Sequence, residues 1–263
     1  MSCIDRKEMD FTLFKGLILA AAGFLAGLGN SLVGGGSMVS LPALFLVGLP
    51  SATAIGTNRA AIVVLSVSAA LGFRREGHFH WREAAGPASA AGLGGIVGAF
   101  ITVSLPGRIL DGVVLAIFYL FTIFLFVDPF RRWDLDHVGR KVNSPAIFYP
   151  TVFLLGFYGG FFGVAVSTLT IIFFKTVRGW DTFKSISVTQ ANLFFLSVTA
   201  TILFVSRGKV AFPFAAFLAA GMALGGTVGP KIAVRIGERR VNLLLKILVL
   251  FLVTRLTLRY LGK

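Results

Sequence analysis

Arg59 is the most informative charge in the chain. It lies within an apolar run from about Ser51 to Phe73, eight residues after that run opens and fourteen before Arg74 ends it. A guanidinium offers five N–H donors in a planar fork that matches carboxylate, sulfonate or phosphate oxygens. A charged side chain at that depth is costly and marks a functional site by default. The alternative is that Arg59 reaches a nearby interface or pairs with backbone carbonyls. Asn58 adds a neighbouring amide. Gln190 and Asn192 stand at a similar depth in the second half of the chain, either to hydrogen-bond a ligand or to join helices to one another.

A second feature is the stretch from Asn30 to Pro42, in which Gly34, Gly35 and Gly36 run consecutively before Ser37. Each glycine weakens a helix by about 1 kcal/mol relative to alanine. Irregular backbone within a bilayer survives only where it is buried in protein or lines a cavity. The stretch therefore reads as a broken helix whose amides, with the Asn30 and Ser37 side chains, make a binding site. Close packing by small residues is the other reading. Helical pieces starting near Ser37 and near Ser167 and Thr168 would present unpaired amides and partial positive charge, which favour an anion.

What is absent narrows the chemistry. No Asp or Glu lies deep in an apolar segment, because Glu83, Asp111, Asp128, Asp181 and Glu238 all sit near segment ends. A cation site or a carboxylate proton relay has little material. His78 and His80 share one polar loop and His137 stands alone in another, so no metal site is expected. Cys3 is the single cysteine, which removes disulfides within the chain and cysteine-based metal sites. No nucleophile–base pair, phosphate-binding loop or metalloprotease motif is present. Neither catalysis nor a cofactor is expected.

The elements that must position these residues are membrane helices. The chain has 263 residues, of which 56% are hydrophobic and 14% charged, and its mean hydropathy is +0.86. Those values describe an integral membrane protein. A helix needs about 20 apolar residues to cross the hydrocarbon, and the sequence offers about eight such segments. The fold class expected is thus all-α, with broken or re-entrant helices at the glycine-rich stretch. A net charge of +14 would suggest nucleic acid in a soluble protein. Here most Lys and Arg fall at segment ends, where they anchor helices and set orientation, so the lipid bilayer and not nucleic acid is the expected partner.

Taken in order, residues 11–33 form the first span, read as a span because no small-residue cleavage site follows it. Residues 37–48 are too short to cross. Spans follow at about 51–73, 84–104 and 109–127, and a polar loop, 128–145, divides the chain. Residues 146–261 resemble 11–127: Gly23 to Gly27 line up with Gly156 to Gly160, and Gly94, Gly95 and Gly98 with Gly225, Gly226 and Gly229. The whole chain, 1–263, is expected to be one membrane domain of two related halves, as in carriers whose site lies between repeats. Loops 74–83 and 128–145 are basic and share a side, which the positive-inside rule makes cytoplasmic. Lys231, Arg235, Arg239 and Arg240 do not settle whether the repeats are parallel or inverted.

Several pieces in fixed order resemble the sulfite exporter TauE/SafE family of membrane transporters. They are Gly23-Phe24-Leu25-Ala26-Gly27, Gly34 to Leu44, Gly48-Leu49-Pro50, Gly56-Thr57-Asn58-Arg59 and Phe73-Arg74-Arg75-Glu76-Gly77. The resemblance implies a duplicated helical bundle in a bacterial inner membrane and transport of sulfite, sulfonates or related organosulfur anions. Val164 to Thr168 departs from the glycine-rich pattern of the first half, so the halves need not contribute equally.

The expectation is a secondary carrier, working outward, for a small anionic substrate. Asn30, Gly34, Gly35, Gly36, Ser37, Asn58 and Arg59 would form one side of the site, with Ser167, Thr168, Gln190 and Asn192 opposite. Another carboxylate or oxyanion, or a non-transporting assembly or scaffold protein, are the alternatives. Which anion is carried, and whether the protein is a homo-oligomer, are left open.

Overall fold

A computed structural model describes residues 3–32, 36–75, 81–127 and 144–236, together with Thr254. Among the described residues every regular element is a helix. They are α1 (Cys3–Leu32), α2 (Ser37–Leu46), α3 (Ser51–Arg75), α4 (Trp81–Ser104), α5 (Gly107–Val127), α6 (Pro145–Phe161), α7 (Val166–Arg178), α8 (Thr182–Ser206) and α9 (Phe212–Ile236). Four of them contain stretches long and apolar enough to cross a bilayer: Leu13–Asn30, Ser51–Leu71, Trp81–Ser104 and Thr182–Ser206. With α2 at 10 residues and α7 at 13, these two are too short to span at about 1.5 Å per residue.

Local chemistry sets several ends. Asp181 caps α8 by accepting the Lys184 N–H at 2.9 Å. Pro145 opens α6, where its missing N–H costs nothing. Gly179 closes α7 in the left-handed region with φ 63°. The reversal between α1 and α2 is read from Gly36, where an added Cβ would come within 2.5 Å of the Ala26 carbonyl oxygen. In an unbroken helix those residues would be about 15 Å apart, so α2 folds back against the end of α1.

Glycine faces hold the frame together. A Cβ at Gly94 or Gly98 in α4 would collide with the carbonyl oxygens of Phe153 or Phe157 in α6. Gly156 and Gly160 of α6 press likewise on Ala91 and Gly95 of α4. The α1–α9 pair repeats this arrangement, with Gly23 and Gly27 against Leu218 and Met222, and Gly221 and Gly225 against Ala20 and Phe24. Backbones this close gain dispersion contacts that larger side chains would prevent, the main source of helix association in lipid.

The two crossings match residue by residue. An offset of 133 carries Ala20, Gly23, Phe24 and Gly27 onto Phe153, Gly156, Phe157 and Gly160. An offset of 127 carries Ala91, Gly94, Gly95 and Gly98 onto Leu218, Gly221, Met222 and Gly225. Glycine spacing in the sequence places Gly94, Gly95 and Gly98 opposite Gly225, Gly226 and Gly229 instead. Which glycine faces which carbonyl is fixed by packing and not by spacing along the chain.

Between these crossings lie α3 and α8, which pack on each other. Gly56, near the start of α3, lies against Phe204 and the Lys209 carbonyl at the end of α8. The Ala211 N–H beyond α8 donates to the Thr57 hydroxyl at 2.9 Å. The two helices therefore run antiparallel.

Gly98→Val should lower unfolding stability in detergent by at least about 1–3 kcal/mol, the usual cost of overpacking. Gly107→Ala, where an added Cβ meets nothing within 4 Å, should stay within about 0.5 kcal/mol of the parent. A thermal or chaotrope unfolding series on the purified protein measures both, and equal effects would contradict the packing described.

Candidate functional site

The end of α1, the starts of α2 and α7 and the third turns of α3 and α8 supply a buried polar cluster in an otherwise apolar core. Asn30 is its hinge. Its Oδ1 accepts the Ser167 hydroxyl at 3.2 Å, and its Nδ2 donates to Gln190 Oε1 at 3.5 Å. Its Cβ lies about 3.1 Å from where a Gly36 Cβ would stand. Asn30 thus touches the N-terminal ends of both short helices, α2 through Gly36 and α7 through Ser167. Each end carries the partial positive charge of a helix N-terminus, about half an electron.

Ser40, one turn into α2, joins this corner to α3. Its hydroxyl reaches Asn58 Oδ1 at 2.7 Å and lies 3.3 Å from the Gly36 carbonyl oxygen. Arg59, beside Asn58, is fully buried, and its Nη2 donates to the Phe162 carbonyl at 3.3 Å. Phe162 ends α6, and the turn that follows is shaped for the guanidinium. Gly163 has φ 79°, and a Cβ added there would fall on Arg59 Nη2. Ala165 sits in the left-handed region at φ 57°, at a cost of about 1–2 kcal/mol for a residue with a side chain. The Tyr158 hydroxyl fixes the turn by donating to the Val164 carbonyl at 2.8 Å.

The hydrogen bonds share one polarity. Ser167 and Asn30 spend their donors on the Asn30 and Gln190 amide oxygens, and Ser40 spends its donor on the Asn58 amide oxygen. What remains is a set of buried donors: Asn58 Nδ2, Gln190 Nε2, and Arg59 Nε and Nη1 have no hydrogen-bond partner among the described residues. A buried polar group left unsatisfied costs about 1–3 kcal/mol, more when charged. A surplus of donors around a guanidinium is the chemistry that receives an anion.

No described carboxylate offsets Arg59. Glu83 pairs with Lys184 at 2.6 Å, Asp181 caps α8, and Asp111 hydrogen-bonds to Ser51. Arg59 is the only charged side chain among the described buried residues.

Not all the residues singled out in the sequence gather here. Ser37 is buried in the first turn of α2 and Thr168 is only partly buried in α7. Asn192 stands two residues from Gln190 on α8, which turns it about 200° away around the helix; its Oδ1 is buried and unpaired. Gly34 and Gly35 lie outside the described residues, as do His78, His80 and His137. Ser40, Gly163 and the Phe162 carbonyl are the participants that residue type alone does not flag. The glycine in Phe161-Phe162-Gly163-Val164 was the available signal.

A family model described as "Sulfite exporter TauE/SafE" matches residues 19–256. The chain is 29% identical over 251 residues to "Probable membrane transporter protein ORF9" of Sinorhizobium sp, covering 95% of this chain and 94% of that protein. It is 28% identical over 238 residues to a "Probable membrane transporter protein" of Haemophilus influenzae, covering 88% and 89%. It is 23% identical over 242 residues to "Probable membrane transporter protein YfcA" of Escherichia coli strain K12, covering 92% and 89%. No solved structure matches it.

Arg59→Met keeps the bulk of the side chain and removes a charge that no described carboxylate offsets. Folding stability should stay level or rise by up to about 1–4 kcal/mol. Ser40→Ala, which strands the Asn58 oxygen, should lose about 1–2 kcal/mol. Chaotrope unfolding in detergent reads both. A large loss in Arg59→Met would mean that the guanidinium serves packing.

Proposed function

The chain belongs to the sulfite exporter TauE/SafE family, and from that membership we propose that it is a secondary carrier exporting small organosulfur anions, sulfite or sulfonates, across a bacterial inner membrane. The observation that carries this reading is the buried Arg59 with no described counter-charge, set among leftover amide donors where two short helices begin. A sulfonate or sulfite presents three oxygens on one centre. One of them would take a free donor of the Arg59 guanidinium, and another would face Asn58 Nδ2. Desolvating such an ion is expensive, and only fixed donors of this kind offset the loss of water.

Transport requires that the site face each side in turn. We infer that residues 11–127 and 146–261 are repeats within one membrane domain, with α2 and α7 as re-entrant half-helices and about eight crossings overall. The matched α1–α9 and α4–α6 crossings support this. If α3 and α8 are counterparts, their antiparallel meeting makes the relation an inverted one. The anion would then sit between half-helix N-termini, and rocking of one half against the other would open it to either side.

The energetics favour exit. An elementary charge moved through 100 mV is worth about 2.3 kcal/mol. With a negative interior an anion leaves downhill, so no coupled ion is needed.

Proteoliposomes loaded with sulfite test the reading. An inside-negative potential should speed efflux several-fold, an inside-positive potential should slow it, and Arg59→Met should lower it by about a hundredfold or more. Efflux that ignores the sign of the potential would refute electrogenic export. A scaffold protein would show no flux in the parent at all.

A further inference from the structure

Helices α3 and α8 are each 25 residues long. Counted from Ser51 and Thr182, Arg59 and Gln190 hold the same position in their helices. The offset of 133 that relates α1 to α6 carries Asn30 onto Gly163. These are the residues that Arg59 and Gln190 respectively face across the cluster: Arg59 lies on Gly163, and Gln190 accepts from Asn30 at 3.5 Å. Two equivalent corners are therefore filled in complementary ways. One holds a long cation opposite a glycine that leaves room for it. The other holds a shorter neutral amide opposite an asparagine that fills the space.

Both corners border the first turn of α2. The Asn30–Gln190 corner touches it at Gly36, and the Arg59 corner touches it through Ser40 and Asn58. Each corner keeps an unpaired buried donor, Arg59 Nε and Nη1 in one and Gln190 Nε2 in the other.

Resting on the carrier reading above, we propose that Gln190 and Asn30 form a neutral hydrogen-bonding subsite beside the Arg59 anion corner, selecting a monoanion whose other end is uncharged and polar. One guanidinium balances one negative charge. A dianion would leave its second charge buried against an amide with no cation to meet it, which low-dielectric surroundings penalise heavily. An apolar end would leave Gln190 Nε2 unsatisfied when the site closes. Gly163 and Asn30 are the positions that decide which corner carries the charge.

Three sulfonates of similar length separate the terms: 2-hydroxyethanesulfonate, ethanesulfonate and 1,2-ethanedisulfonate. Binding is read as ligand-dependent thermal stabilisation of the purified protein, titrated to an apparent Kd. The parent should bind 2-hydroxyethanesulfonate about tenfold more tightly than ethanesulfonate, and the disulfonate more weakly than either. In Gln190→Leu the preference for the hydroxyl should disappear while ethanesulfonate still binds. In Gln190→Lys the disulfonate should gain about tenfold or more over its affinity for the parent. A parent that does not discriminate, or a hydroxyl preference that survives in Gln190→Leu, would overturn the subsite. Should Gln190→Lys not fold, the Gln190→Leu result decides alone. If none of the three sulfonates stabilises the parent, the anion site itself fails, a different outcome from loss of the subsite.

Discussion

A buried guanidinium with no counter-charge among the described residues, set in an apolar bundle, is the constraint around which the cluster is arranged. Such a charge persists in a fold only where the surroundings offset part of its desolvation. Here the direct compensation among described residues is one carbonyl, that of Phe162. The turn after α6 is bent to provide it, with a glycine where the guanidinium needs room and an alanine in a strained conformation beyond. Strain of this kind gathers at sites that perform work. The neighbouring amides then turn their oxygens inward to serine and asparagine donors and leave their own N–H groups over.

The remaining structure makes that arrangement affordable to a membrane protein. Glycine faces on α1, α4, α6 and α9 bring backbones into contact and build two rigid crossings. Between them, α2 and α7 need not span, so their N-terminal amides can be placed inside the bundle instead of at its surface. Dipole ends and the buried cation then act on the same small volume, where the low-dielectric surroundings strengthen them. The close backbone contacts lie in the crossings, and the unpaired donors and the left-handed alanine lie at the interrupted pieces.

Much of this was legible in the sequence, for identifiable reasons. A charge at position 59 stands out because its surroundings are apolar over more than two turns on each side. Hydropathy alone marked an all-helical membrane chain, in which four described helices are long and apolar enough to span, and α3 begins at Ser51 as its composition suggests. Ser40 carries no such signal, because a serine in a short apolar helix is unremarkable until Asn58 is seen opposite. Gly163 has the same history: its role depends on a guanidinium 104 positions away in the chain. Gln190 and Asn192 look alike in the sequence, yet helical geometry separates them.

The central claim is that the Arg59 guanidinium and its neighbouring donors hold a small oxyanion. The most direct measurement is an experimental structure of the protein soaked or prepared with selenite, located by the anomalous scattering of selenium. The account predicts a peak within hydrogen-bonding reach of the Arg59 guanidinium and Asn58 Nδ2, absent in Arg59→Met. Selenium confined to lysines and arginines at the helix ends, with the Arg59 corner empty, would contradict it.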